Sequence, residues 1–158
     1  STCLDCHILR NKLTYEAEFE RKRLRPETLT LSGEALIDTS GSAVNSNGSI
    51  QGYVERLEIK DGNFLVSGWA ADIENGRPCM FVVVFINGAN TAVIRPTFRR
   101  PDVADAFSKR SVEKCGFSAS VVCTSEQDLE FIELKPRVWA IDKFGCAGEL
   151  SCARLEYH

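Results

Sequence analysis

Apolar and polar positions follow one rhythm over the first 25 residues and another beyond residue 50, and the change marks two kinds of structure. From residue 51 onward the pattern is β. Runs at 53–59 and 63–70 flank Asp61-Gly62, a favourable hairpin turn because glycine tolerates positive φ. The run 80–86 is apolar at every position, which predicts a central strand covered on both faces, and Asn87-Gly88 turns it back into 89–94. Pro101 fits the first turn of a short helix through Phe107, where its missing N–H would be unpaired in any case. Further runs at 116–123, 129–134, 137–144 and 149–155 bring the total to about seven or eight short strands. Strands at this spacing predict an all-β fold, an antiparallel sandwich with one short helix.

The first 25 residues read differently. Residues 4–25 contain no Gly or Pro and are rich in Leu, Glu, Ala, Lys and Arg, which predicts an α-helix ended by Pro26. Glu16, Glu18 and Glu20 precede Arg21, Lys22, Arg23 and Arg25, an order that complements the helix dipole. Leu4, Ile8, Tyr15 and Phe19 form one apolar stripe, and Leu9, Leu13, Ala17 and Leu24 form another. One stripe docks on the sandwich; the second is either incidental or pairs with another chain or domain. Between helix and sandwich, residues 28–31 alternate as a short edge strand, and 38–49 are polar and small, the composition of a linker. The expected organisation is therefore a helix at 1–25, an extended segment and flexible linker at 26–49, and a β module at 50–158.

Composition narrows the function. The chain has 158 residues, 44% of them apolar, enough for one domain with a real core. A net charge of −3 argues against nucleic acid as a partner, because phosphate binding depends on a concentrated positive surface. The longest apolar run falls far short of the roughly 20 residues that cross a bilayer as a helix, so no membrane span is expected. Residues 1–25 are crowded with charge and show no secretory signal. Seven cysteines, at 3, 6, 79, 115, 123, 146 and 152, leave at least one unpaired, which fits a reducing compartment and hence a cytoplasmic location.

Little in the chain supports catalysis. Its only histidines, His7 and His158, lie near the termini, so a Ser-His-Asp or Cys-His arrangement would need a chain end folded over the core. No Gly-rich phosphate loop is present. Asp72, Glu74 and Asp102 lie near strand ends, where a carboxylate usually caps a turn. Cys3-Leu4-Asp5-Cys6-His7 matches the haem c attachment pattern and half of a zinc site, but only Met80 and His158 offer a second axial ligand, the chain beyond residue 50 reads as β, no second Cys-x-x-Cys closes a zinc site, and no cofactor or metal is expected.

Four short motifs in order carry a resemblance. Ser67-Gly68-Trp69-Ala70-Ala71-Asp72, the strand ending in Asn87-Gly88, Arg100-Pro101-Asp102-Val103 and Gly116-Phe117 together resemble a β-sandwich module appended to bacterial glycosyltransferases and cell-envelope polysaccharide proteins. The resemblance covers residues 50–155 and implies an immunoglobulin-like sandwich in that setting. The expected role is a non-catalytic accessory module for carbohydrate recognition or docking to an adjoining catalytic domain. The alternative is a helix-driven oligomerisation element that self-associates through residues 1–25, with a haem or zinc protein built on Cys3, Cys6 and His7 behind it. The residues expected at a glycan site are Trp69, Asp72, Arg95, Arg99 and Asp102. Each also has a structural reading: Trp69 fills the sandwich core, Gly68 admits a close strand, Asp72 accepts hydrogen bonds from the following turn, Arg95 or Arg99 pairs with Asp102, and Phe117 packs on the short helix.

Overall fold

Residues 24–122 and 134–157, described by a computed structural model, are mostly β with one short helix. Arg25 is extended, with φ −92° and ψ 101°, as a residue preceding proline is forced to be. Arg25 is therefore not helical, and the remainder of the helix expected over 4–25, together with Cys3, Cys6, His7 and residues 129–133 of the expected run 129–134, lies outside the described residues. A 3-10 turn at Pro26–Thr28 leads into a hairpin of β1 (Thr30–Ser32) and β2 (Ala35–Ile37).

Turn chemistry then sets the main pairs. β3 (Ile50–Lys60) and β4 (Asn63–Asp72) join across Asp61-Gly62, whose φ values of 52° and 76° suit the right-handed twist of the two strands. After the two-residue β5 (Arg77–Pro78), β6 (Phe81–Ile86) turns through Asn87-Gly88 into β7 (Ala89–Ile94). Helix α1 (Pro101–Phe107) starts on its proline, as expected. β8 (Gly116–Val122), β9 (Pro136–Ile141), β10 (Ala147–Cys152) and β11 (Glu156–Tyr157) follow. The hydrogen-bonded order is β5-β4-β3-β10-β9-β6-β7, with β8 on β4 and β11 on β3. Pairing is antiparallel except that β3 lies parallel to β10 and β11. The all-antiparallel expectation fails there because the chain returns to β3 from far along the sequence, the long connection that parallel neighbours require.

The main core lies between two groups of strands. Val54, Leu57, Phe64, Val66 and Phe117 from β3, β4 and β8 meet Val82, Val84, Val138, Ala140 and Leu150 from β6, β9 and β10. β6 is apolar on its second face as well: Val83 and Phe85, with Ile141 and Ala147, pack against Leu29 and Leu36. Both faces of this strand are covered, as its composition predicts, and the second cover is the segment that carries Leu29 and Leu36. A third cluster sits under α1, where Val103 and Ala104 meet Ala71, Val112 and Cys115.

Residues 38–49 are tied to the β strands by side-chain hydrogen bonds. Asp38 Oδ1 accepts the Ser40 and Ser42 N–H groups, at 2.9 and 3.1 Å, which closes a local turn. Asn47 reaches much further, because its Nδ2 donates to Asp72 Oδ2 at 3.1 Å and to Asp142 Oδ2 at 2.7 Å. Ser49 Oγ also donates to Asp72. Asp72 and Asp142 are only 1% and 3% exposed, so these polar residues do the work of a core contact. Burial acts to raise the Asp72 pKa, but the hydrogen bonds from Ser49, Asn75 and Asn47 outweigh it and hold the carboxyl below the ordinary aspartate value. A polar composition reads as linker when the buried acceptors that it satisfies lie 25 and 95 residues away.

Candidate functional site

The outer face of the β3–β4–β8 strands carries the polar side chains, in rows fixed by register. Arg56, Ser67 and Ser118 lie side by side, and Glu58, Leu65 and Ser120 form the next row. One irregularity shapes this face: the β3–β4 register shifts between Val54 and Arg56, which leaves Glu55 as an extra residue of a β-bulge. The bulge lets both Val54 and Leu57 stay in the core while Glu55 and Arg56 are exposed on the other side.

A second segment closes over the edge of this face. Gly116 and Phe98 exchange backbone hydrogen bonds of 3.0 and 2.9 Å, which pins residues 97–100 beside β8. A Cβ on Gly116 would lie 2.9 Å from both Arg100 Cγ and the Phe98 carbonyl oxygen, so the approach requires glycine. Phe98 is held there with 56% of its surface exposed. Arg100, from the same segment, is gripped by two carboxylates. Its Nη1 and Nη2 donate to Glu55 at 2.5 and 3.0 Å, and its Nε and Nη2 donate to Asp102 at 3.0 and 2.8 Å. These are two forked, charge-assisted contacts on one guanidinium. The Arg100 hydrogen bonds hold the Asp102 carboxyl at about 2, well under the usual range.

Together these residues surround an open cleft of about 290 Å³, lined by Glu55, Ser67, Phe98, Arg100 and Ser118 with Gly68, Gly116 and Phe117 as its floor. A smaller cleft of about 210 Å³ continues from Ser67 and Ser118 past Arg56 and Ser120. The first is near the small end of the range for ligand sites, roughly 300–1,000 Å³. Its chemistry is one bare aromatic ring beside hydroxyls and a fixed ion cluster.

The expected site residues fall in different places. Asp102 reaches the cleft through Arg100, which is its partner in place of the expected Arg95 or Arg99. Those two arginines are exposed and line neither cleft, because the extended segment turns residues 98 and 100 toward it and 99 away. Asp72 is committed to the buried network, where it does accept the Asn75 N–H of the following turn at 3.2 Å. Neither Asp72 nor Asp142 is accessible enough to reach a substrate. Trp69 does not fill the main core. It lies on the outer face of β4, half-buried against Phe107 of α1 with ring centroids 5.8 Å apart. The core position opposite it belongs to Gly68, whose missing side chain leaves room for the Phe117 ring, and for that reason Phe117 packs inward and not on α1. A Cβ on Gly68 would collide with the Tyr53 carbonyl oxygen, so the close strand approach expected of this glycine is present.

Trp69→Ala is accordingly expected to destabilise by about 1–2 kcal/mol, below the roughly 3–5 kcal/mol of a fully buried aromatic. Urea melts of the two proteins measure this, and a loss above 4 kcal/mol would place the indole in the cooperative core. Phe98, Glu55, Ser67 and Ser118 had no individual signal, since they come from four separate stretches. The alternation of serines with apolar residues along β8 was the one available sign of a polar face. Comparison with known protein families, characterised proteins and solved structures finds no match.

Proposed function

We propose that the chain is a non-catalytic accessory module of a bacterial polysaccharide-assembly or glycosyltransferase protein, and that the cleft beside Phe98 binds carbohydrate. In this reading the two groups of strands form an immunoglobulin-like sandwich whose outer face is the binding surface. The observation that carries it is the exposed Phe98 ring set among Ser67, Ser118 and the Arg100 ion cluster. A sugar offers a C–H face to an aromatic ring and hydroxyls at its edge, and this cleft presents the complement of both. Support for a non-catalytic role comes from the carboxylates: the buried pair is inaccessible, and those at the cleft are tied to Arg100. The free thiols of Cys79, Cys115, Cys146 and Cys152 fit the reducing compartment that a cytoplasmic module occupies. The alternative of helix-driven oligomerisation rests on residues outside those described.

Titration of the isotope-labelled chain with a panel of oligosaccharides tests the reading. Ligands that bind are expected to shift the amides of Ser67, Phe98 and Ser118, and Phe98→Ala is expected to lower affinity about tenfold, on the order of 1.4 kcal/mol. Because Phe98 is exposed, its removal should leave the melting temperature within about 2 °C. Perturbations confined to another surface, or unaltered affinity in Phe98→Ala, would sink the proposal.

A further inference from the structure

The cleft also carries a selectivity. Resting on the carbohydrate reading, we infer that this groove takes neutral, linear glycan chains and rejects acidic ones. The guanidiniums that line the two connected clefts are Arg100 and Arg56. Each is already matched: Arg100 by Glu55 and Asp102, and Arg56 by Glu58 at 2.8 Å. Both guanidiniums are therefore already paired with carboxylates, and an incoming uronate or phosphate beside Phe98 does not find the free fork that a receptor for acidic sugars needs. An acidic sugar gains a forked contact with Arg100 only by displacing Glu55 or Asp102 and exposing that carboxylate to its own charge. A neutral chain has no such conflict. Among the described residues Arg100 uses four N–H donors on its two carboxylates, and a guanidinium has five, which leaves one for a hydroxyl. The carboxylate oxygens accept from sugar hydroxyls as well. Length enters through continuity: Ser67 and Ser118 line both clefts, so a ligand that stacks on Phe98 extends along the serine rows toward Arg56 and Ser120.

The test compares neutral hexasaccharides, β-1,4-glucan, β-1,3-glucan, α-1,4-glucan, β-1,4-mannan and β-1,4-xylan, with hexamers of galacturonate and of alginate. Calorimetry gives affinities, and amide shifts locate binding. At least one neutral hexamer is expected to bind the wild-type groove ten times more tightly than either acidic hexamer. Glu55→Gln/Asp102→Asn, which frees Arg100, is expected to gain at least tenfold for an acidic hexamer, with a gain that weakens in salt. Glu55→Gln alone, at a half-exposed position, should give a smaller change in the same direction and keeps the test valid if the double variant is unstable. Wild-type binding of an acidic hexamer at the same amides, as tight as any neutral one, overturns the selectivity and leaves the carbohydrate reading standing. Failure of every hexamer to bind overturns both.

Discussion

Asn47→Asp is expected to lower stability by about 3–5 kcal/mol at pH 7. Each hydrogen bond to a charged group contributes roughly 1.5–3 kcal/mol, and this change removes two such donors from carboxylates that are almost fully buried. It also puts a third negative charge between Asp72 and Asp142, with Cys79 and Cys146 close enough to feel both aspartates. The pH dependence separates this variant from the wild type. In the wild type the Asp72 pKa is depressed, so its contribution is fully present above the ordinary aspartate value of about 3.9 and is lost as pH falls through the lower folded value. In the variant the crowded carboxylates take folded pKa values above their unfolded ones. Its penalty is complete above those values and shrinks as pH falls through them. Urea melts at pH 7 and pH 5 should therefore show a smaller gap between the two proteins at pH 5. A variant within 1 kcal/mol of wild type at pH 7, or a gap that widens in acid, would mean that Asn47 does not bridge the pair.

Phe85→Ala should cost about as much, roughly 3–5 kcal/mol, for a different reason. Phe85 is fully buried, and it faces Leu29 and Leu36, not the main core. Removing its ring opens a cavity under the β1–β2 hairpin, so the loss should appear first as faster amide exchange in residues 29–44. The Val44 N–H, bonded to the Leu36 carbonyl at 2.8 Å, is a suitable reporter. Uniform loosening of the whole chain would show that the hairpin and the strands unfold as one unit. A loss under 1 kcal/mol would show that the hairpin adds nothing to the fold.

Local signals carried most of the strand layout. Asp61-Gly62 and Asn87-Gly88 adopt the positive φ values their chemistry favours, Pro101 opens a helix, and the run of valines before Phe85 is buried on both sides. Phase was harder to read. In β4 the inward residues include Gly68 and Ala70 while Trp69 faces out, so the largest apolar side chain points to the wrong face for any count based on size. What reverses it is Phe117, which pairs with Gly68 across the ladder and occupies the space the glycine leaves. The role of 38–49 was hidden for a similar reason, since Asn47 acquires meaning only beside Asp72 and Asp142. The cleft was least legible: two strands, a bulge and the segment before α1 supply it, and no single stretch holds more than a fragment of its chemistry.

The bulge on β3 has a consequence for how this surface can be altered. Glu55 has no partner across the β3–β4 ladder, and its side chain leaves the core untouched. Position 55 is thus exempt from the pairing and packing constraints that bind its neighbours Val54 and Leu57, yet it holds half of the grip on Arg100. Substitutions there alter the charge offered to solvent without opening a cavity in the core, and their cost in folding stability is confined to the contacts with Arg100. In the carbohydrate reading proposed above, residue 55 is where ligand preference can change without a change in the scaffold, and it is where a library for redirecting the surface should begin.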